Sequence, residues 1–197
     1  GLVGSEMCIR DRCYLHAPFF SPALKSVGPV RRSLGVRTFF NMLGPLVNPT
    51  LPKHQLLGVY NLKLLRLYNY IAQHEGINCT VVHSLDGYDE ISLTSPFKVA
   101  SSQGERIYTP ESLGWNRIAQ KELSGGNSIE DAAKIFDNVL HNTATEAQLN
   151  CVIANAAFAI VTLEPEIELN DAIEQATDSI KSGRALSAFE RFVQLNN

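Results

Sequence analysis

Cysteine is scarce in this sequence and shows no metal-binding pattern. The 197 residues include four cysteines and five histidines. No two cysteines form a C-x-x-C pair, and no histidine stands at zinc-ligand spacing from a cysteine. The pattern supports neither a zinc module nor a disulfide framework, and free, reduced thiols predict a cytoplasmic location. No spacing links a histidine to a nucleophilic serine or cysteine, so a hydrolase triad is not supported either.

Long apolar runs, internal repeats and an excess of one charge are also missing. No apolar run is evident that approaches the roughly 18 residues of a membrane span, which argues against a transmembrane protein. No signal peptide and no internal repeat is recognisable. The net charge is −3, which argues against a dedicated nucleic-acid binder, since such proteins usually carry a basic face. With 45% hydrophobic residues the chain can bury a sizeable core.

Residues 1–13 stand apart from the rest of the chain. Residues 1–12 have neither a helix period nor a strand period, and their letters resemble a translated sequencing adapter. We expect residues 1–13 to be foreign to the native protein. Residues 14–197 are expected to form an incomplete C-terminal α/β domain whose beginning is cut off.

Residues 18–53 are rich in proline and glycine, which leaves room only for short helices. This segment also carries a basic cluster, formed by Lys25, Arg31, Arg32 and Arg37. Arg31 follows a Gly-Pro-Val turn, and a guanidinium group can hold a carboxylate through two parallel hydrogen bonds. The cluster indicates an anion-binding segment, with a solvated helix face as the alternative.

Residues 55–83 have the pattern of a strand–helix–strand unit. Apolar runs at residues 55–60 and 78–83 predict buried strands, and helical spacing predicts a helix over residues 62–74 with Asn61 as its N-cap. Such a unit places its two strands in a parallel sheet. Two further strands, at residues 97–101 and 106–109, are expected to form a hairpin.

The last third of the chain is predicted to be helical. A capping box at Thr143 and Glu146 predicts the start of a long helix that Pro165 ends. Leu149, Val152, Ile153, Ala156, Ile160 and Leu163 fall on one face of this helix, and the small residues Ala154, Ala156, Ala157 and Ala159 make most of it fit for burial. Other helices are predicted at residues 128–140, 170–181 and 185–195. The predicted fold class is therefore α/β, with a mainly parallel sheet flanked by helices and a helical C-terminal third.

Two adjacent carboxylates, Asp89 and Glu90, follow the second predicted strand. Ligands of open parallel sheets bind beyond the carboxyl ends of the strands. Mg²⁺ takes one or two carboxylates, keeps several waters and is shared with substrate phosphates. The pair predicts a Mg²⁺ site, with a turn of solvated acids as the alternative. The turn Gly125-Gly126-Asn127 lacks the longer phosphate-loop patterns and is interpreted as a turn with a helix cap.

Three segments carry a resemblance to a known family. They are residues 21–37 (SPALKSVGPVRRSLGVR), 40–49 (FNMLGPLVNP) and 82–92 (VHSLDGYDEIS). In order and spacing they resemble the C-terminal part of the anthranilate phosphoribosyltransferases, in the nucleoside phosphorylase/phosphoribosyltransferase superfamily. The resemblance covers roughly residues 14–197 and implies a truncated large domain of that fold.

The resemblance implies a role for several residues. Arg31 matches the arginine that binds anthranilate. Ala17 and Pro18 fall where the family lines the route of anthranilate. Ser21 lies beside them, at a position where the family usually has a histidine.

The metal site follows from the same resemblance. Asp89 and Glu90 match the acidic pair that holds Mg²⁺ on the diphosphate of 5-phosphoribosyl 1-diphosphate. The implied parent enzyme is a cytoplasmic homodimer that makes N-(5-phosphoribosyl)anthranilate in tryptophan biosynthesis, with no membrane or nucleic-acid partner. The family's glycine-rich donor loop, its Lys-His-Gly-Asn segment and its small N-terminal helical domain are missing from residues 1–197. The isolated chain is therefore predicted to be inactive.

Two alternatives stay open at this point. The Asn-x-Leu-Gly-Pro-Leu-x-Asn-Pro run also occurs in pyrimidine nucleoside phosphorylases, whereas the Pro-Val-Arg-Arg approach favours the anthranilate enzymes. A non-enzymatic nucleic-acid-binding relative of the same fold is the other alternative, and the net charge of −3 argues against it.

Overall fold

The computed structural model describes residues 51–196, together with Ser33, Met42, Leu46, Asn48 and Thr50. The chain divides into two compact units, one comprising Gly1–Pro52 with Phe189–Asn197 and the other Lys53–Ala188. In the described part of the first unit, the Asn48 side chain accepts hydrogen bonds from the backbone N–H and the hydroxyl of Thr50, at 3.0 and 2.8 Å. Asp89 and Glu90, and the described residues that contact them, all belong to the second unit.

The predicted strand–helix–strand unit is confirmed. Strand β1 (His54–Gly58) leads through helix α1 (Leu62–His74) to strand β2 (Asn78–Ser84). Asn61 caps α1, with its side chain accepting from Leu64 N–H at 2.9 Å. The two strands pair in parallel, so their carboxyl ends meet at one edge of the sheet.

The predicted hairpin is confirmed as well, and it changes the character of the sheet. Strand β3 (Phe97–Ser101) pairs antiparallel with both β2 and β4 (Gly104–Tyr108), and the strand order is β1-β2-β3-β4. The α/β class is confirmed, but within the described residues only the β1–β2 pairing is parallel, so the sheet there is mixed and not mainly parallel. The two-residue loop between β3 and β4 can join only antiparallel strands, and residues 85–96 between β2 and β3 contain no helix of the kind that carries a parallel crossover.

Helices dominate the chain after the sheet, as predicted. Two 3₁₀ turns, Pro110–Leu113 and Gln120–Leu123, precede helices α2 (Ile129–Leu140), α3 (Glu146–Leu163), α4 (Leu169–Lys181) and α5 (Arg184–Asn196). The capping box of α3 is not the predicted pair. Thr145 caps the helix and exchanges hydrogen bonds with Gln148, whereas the Thr143 hydroxyl donates to Asn138 in α2.

The apolar face predicted for α3 is only partly buried, whereas the small residues Ala154 and Ala157 are buried as predicted. Val152 and Leu163 are exposed, at 42% and 60%. The face that is buried comprises Ala147, Cys151, Ile153, Ala154, Ala157, Phe158 and Thr162. Helix α3 packs small side chains against the sheet on one side and contacts α4 on the other. The helical spacing of its larger residues therefore does not identify its most buried face.

Helix α3 also meets a length and composition criterion for a membrane span. Its 18 residues have a mean hydropathy of 1.4, so the expectation that no apolar run approaches the length of a membrane span is wrong for α3. The criterion is weak evidence, because helices buried in a protein core satisfy it too. Here the packing of α3 on the sheet accounts for its apolar composition.

A single apolar cluster joins the sheet, α3 and the segment after β2. It comprises Val82, Ile91, Leu93, Phe97, Val99, Leu113, Ala154 and Phe158. Ile91 and Leu93 are completely buried. The buried Ile91 and Leu93 side chains anchor the backbone directly after the acidic pair. That backbone cannot move without exposing both side chains to water.

Candidate functional site

The acidic pair lies in the segment that joins β2 to β3, which we call the acidic loop (residues 85–96). Asp89 and Glu90 are both exposed, at the edge of the sheet where β1 and β2 end. The backbone of Asp89 lies directly against Gly58, the last residue of β1. The structure thus places the predicted pair beyond the carboxyl ends of the two parallel strands, open to solvent and able to meet a ligand.

Asp86 is tied into the acidic loop through both carboxylate oxygens. Oδ2 accepts from the Thr94 hydroxyl at 2.6 Å and Oδ1 from the Ser95 hydroxyl at 2.7 Å. Gln120 donates to Oδ2 at 3.4 Å. Partial burial raises the pKa of Asp86, but these three hydrogen bonds outweigh it and hold the pKa below its usual value. Asp86 is therefore a charged internal brace of the loop.

A chain of hydroxyl groups links this brace to the acidic pair. The Thr94 hydroxyl gives its only proton to Asp86, so in the 2.7 Å contact between the Ser92 and Thr94 hydroxyls the donor is Ser92. Ser84, at the end of β2, donates to the Glu90 carbonyl at 2.6 Å and accepts from Ser92 N–H at 3.2 Å. The backbone beside Glu90 is thereby fixed from the sheet.

Helix α3 fixes the next peptide group. The side-chain oxygen of Asn155 accepts from Ile91 N–H at 3.0 Å, and its amide nitrogen donates to the Ile91 carbonyl at 2.8 Å. The Cys151 thiol donates to the same carbonyl at 3.1 Å. Ile91 directly follows Glu90, so the acidic pair stands on a backbone held by both the sheet and α3.

The electrostatics of the pair favour a bound cation. Partial burial of the Glu90 side chain, followed by the adjacent negative charge of Asp89, raises the pKa of Glu90. A divalent cation would relieve that repulsion and replace the lost hydration. His83 does not take part in this arrangement; it is buried, and its Nδ1 hydrogen-bonds the carbonyl of Val59 at 2.8 Å.

The donor set fits Mg²⁺ that is shared with a substrate. In residues 51–196 and the five described positions before them, no three His, Cys, Asp or Glu side chains cluster so that the protein alone could hold a metal. Two exposed carboxylates on a braced loop are what a Mg²⁺ ion needs when waters and phosphate oxygens complete its shell. Asp89 and Glu90 are therefore the residues that would hold it.

The other predicted site residues lie outside the described part of the chain. These are Ala17, Pro18, Ser21 and Arg31, with the rest of the basic cluster at Lys25, Arg32 and Arg37. The glycine-rich turn is described and is a helix cap as interpreted. Ser128 caps α2, and the Asp131 carboxylate accepts from Asn127 N–H at 3.0 Å.

Three residues that shape this site were not predicted from the sequence. Asp86, Gly58 and Asn155 stand 3, 31 and 66 positions from Asp89. Only Asp86 lies in the segment predicted to hold the site, and the sequence did not distinguish its role as a brace from the role of the acidic pair. Gly58 offered the one available signal, since a glycine inside a strand can mark a close approach of another backbone.

Comparison with known proteins shows which family the chain matches. The family described as "Glycosyl transferase family, a/b domain" matches residues 7–186. Anthranilate phosphoribosyltransferase of Bacteroides thetaiotaomicron is 61% identical over 192 residues, which are 98% of this chain and 57% of that protein. The corresponding protein of Flavobacterium johnsoniae is 48% identical over 193 residues, 97% of this chain and 58% of that protein.

Solved structures agree with the sequence relatives. Anthranilate phosphoribosyltransferase from Saccharomyces cerevisiae in complex with PRPP and Mg superposes with a TM-score of 0.87 at 25% identity, covering 97% of this chain and 55% of that one. The Thermus thermophilus enzyme has a TM-score of 0.79 at 32% identity, covering 88% and 52%. The chain spans little more than half the length of the relatives it matches. The resemblance seen in the sequence is confirmed.

Proposed function

Because the chain belongs to the glycosyl transferase family with an a/b domain, we propose that it is the C-terminal part of an anthranilate phosphoribosyltransferase. The parent protein would transfer the phosphoribosyl group of 5-phosphoribosyl 1-diphosphate to the amine of anthranilate, giving N-(5-phosphoribosyl)anthranilate for tryptophan biosynthesis. The observation that carries the proposal is the exposed pair Asp89 and Glu90 on a braced loop at the sheet edge. Relatives of this chain are named anthranilate phosphoribosyltransferase, and the structure of one of them was solved in complex with PRPP and Mg.

Asp89 and Glu90 act on the leaving-group side of this reaction. As the bond to the anomeric carbon breaks, negative charge builds on the departing diphosphate. Mg²⁺ held by the pair would supply positive charge to offset it. The two carboxylates have to be deprotonated and held still to do this, and the bonds from Ser84 and Asn155 to the backbone beside them hold that backbone.

Arg31 acts on the acceptor side. Its guanidinium group would hold the carboxylate of anthranilate and aim the amine at the anomeric carbon, with inversion there. Ala17, Pro18 and Ser21 would line the route of anthranilate. No covalent nucleophile is required, because the amine attacks the ribosyl carbon directly.

The remaining properties of the parent protein are part of the same proposal. We expect a homodimer in the cytoplasm, with Mg²⁺ as its cofactor and small molecules as its partners. The 197-residue chain contains no glycine-rich donor loop of the kind the family uses. We therefore expect turnover from the full-length protein and none from this chain alone. The assignment of residues 1–13 as foreign stays a prediction.

The test is a substrate comparison on the full-length protein. Anthranilate is fluorescent, so its consumption with 5-phosphoribosyl 1-diphosphate and Mg²⁺ can be followed directly, with omission of each component as the control. Thymidine with inorganic phosphate is offered in parallel. Consumption of anthranilate alone supports the proposal. Phosphorolysis of thymidine without any reaction of anthranilate would replace it with a nucleoside phosphorylase.

A further inference from the structure

The Asn155 carboxamide holds both hydrogen-bonding groups of a single residue in the acidic loop. Its oxygen accepts from Ile91 N–H at 3.0 Å and its nitrogen donates to the Ile91 carbonyl at 2.8 Å. The nitrogen also donates to the Cys151 carbonyl at 2.9 Å, one turn earlier in α3. The amide therefore stands in a fixed orientation, because reversing it would place an oxygen against two carbonyl oxygens.

Few side chains can make this arrangement. An aspartate keeps an acceptor for Ile91 N–H but has no donor for the carbonyls of Ile91 and Cys151. A leucine of similar size makes none of the three bonds. Ile91 is completely buried, so replacing Asn155 with leucine leaves the Ile91 N–H short of a partner, although the Cys151 thiol still donates to the Ile91 carbonyl.

The consequence falls on Glu90, the neighbour of Ile91. The Glu90 carbonyl is held by Ser84 from the sheet, at 2.6 Å, and the following N–H is held by Asn155 from α3. The peptide unit between Glu90 and Ile91 is thus bonded at both of its polar atoms. That unit includes the Glu90 Cα, so holding it fixes the point from which the Glu90 side chain leaves the backbone.

We propose that Asn155 is a positioning residue for the acidic pair: by clamping the backbone of Ile91, it holds Glu90 where a divalent cation can be bound together with Asp89. The inference rests on the metal role assigned to the pair under the proposed function. Partners outside the set of metal ligands commonly control metal affinity through such orientation. Loss of the clamp should therefore weaken cation binding without removing a ligand.

The experiment measures Mn²⁺ binding to the 197-residue chain by NMR. Bound Mn²⁺ broadens the amide signals of nearby residues, so the Mn²⁺ concentration that half-broadens the signals of residues 86–92 reports affinity at this site. Asn155→Leu is compared with Asn150→Leu, which makes the same change elsewhere in α3. We expect Asn155→Leu to raise that concentration about tenfold, the lower end for partners of metal ligands, and Asn150→Leu to leave it unchanged.

A second measurement separates orientation from simple loosening of the fold. Each variant is titrated with Mg²⁺ in the full-length enzyme at fixed substrate concentrations. The clamp predicts that Asn155→Leu raises the Mg²⁺ concentration for half-maximal rate, that excess Mg²⁺ restores most of the rate, and that the KM for anthranilate stays unchanged. If Asn155→Leu does not fold, Asn155→Asp and the charge-matched control Asn150→Asp take the place of the leucine pair.

The outcomes distinguish this inference from the function it rests on. Mn²⁺ broadening that is lost in Asp89→Asn/Glu90→Gln but is equal in the Asn155 and Asn150 variants overturns the positioning role alone. Broadening that survives in Asp89→Asn/Glu90→Gln overturns the metal role of the pair, and the positioning role with it. Weakened broadening confined to the Asn155 variant supports both.

Discussion

A Cβ atom built on Gly58 would lie 1.6 Å from the carbonyl oxygen of Asp89 and 2.7 Å from its carbonyl carbon. Both contacts are to backbone, which cannot turn aside as a flexible side chain could. The end of β1 therefore accepts the acidic loop only because residue 58 has no side chain. The same contact determines how close the acidic pair comes to the edge of the sheet.

Gly58→Ala should displace the acidic loop. We expect a loss of about 1–3 kcal/mol in the free energy of unfolding, typical of inserting an atom into a packed site, and weaker Mn²⁺ broadening at residues 86–92. Gly125→Ala is the control, because a Cβ there meets nothing within 4 Å, and it should change stability by less than about 0.5 kcal/mol. Equal stability of the two variants in urea unfolding would contradict the close approach.

Asp89→Asn with Glu90→Gln should impair the full-length enzyme. Removing both charges should lower kcat/KM at least about tenfold at limiting Mg²⁺, about 1.4 kcal/mol of transition-state stabilisation. The control is Glu164→Gln with Glu166→Gln, which removes two exposed carboxylates after α3. Steady-state kinetics across a Mg²⁺ series checks the prediction, and unchanged kinetics at limiting Mg²⁺ would refute the metal role.

Arg31→Ala should separate the two substrates kinetically. If Arg31 holds only the carboxylate of anthranilate, its loss should raise the KM for anthranilate far more than that for 5-phosphoribosyl 1-diphosphate. Arg37→Ala, in the same basic cluster, serves as the control. Initial rates measured while both substrate concentrations are varied give the two KM values. Equal effects on the two KM values would count against the role assigned to Arg31.

Asp86 should contribute stability that depends on pH. Its pKa is lowered in the folded protein, so the contribution is present above the usual pKa of an aspartate and is lost as pH falls through the lower folded value. Asp86→Asn should cost about 1 kcal/mol at pH 7, below the roughly 1.5–3 kcal/mol of a hydrogen bond to a charged group because Asp86 is exposed and screened by solvent, and less at pH 3. Urea unfolding of both proteins at several pH values tests this, and a difference that stays constant down to pH 3 would contradict it.

The two described cysteines should be unreactive in the folded protein. Burial raises the pKa of Cys79 to about 11. Burial, followed by the nearby charge of Glu90, raises that of Cys151 to about 12. Iodoacetamide at pH 8 should leave both unmodified until urea unfolds the chain, as mass spectrometry of the digested protein would show.

The raised thiol pKa values also have a consequence for stability. A folded pKa above the unfolded value means that stability is fully present below about pH 9 and declines as pH rises toward the folded value. The difference in unfolding free energy between wild type and Cys79→Ala should therefore shrink between pH 9 and 11. A difference that is constant across this range would contradict the burial of the thiol.

Local patterns in the sequence were sufficient for most of the secondary structure. Asn61 as a cap, helical spacing over Leu62–His74 and the apolar run at Asn78–Ser84 each depend on neighbours a few residues away. Position after a strand was likewise enough to single out Asp89 and Glu90. These features could be read because the physical interactions that produce them are local.

The tertiary structure decided how the acidic pair is held. Gly58 meets Asp89 across 31 residues, and Asn155 clamps Ile91 across 64. It also decided that the hairpin makes the described sheet mixed, and that α3 buries the face containing Cys151 and not the one containing Val152. No periodicity encodes such contacts, because they arise only when packing brings distant segments within hydrogen-bonding and van der Waals distance.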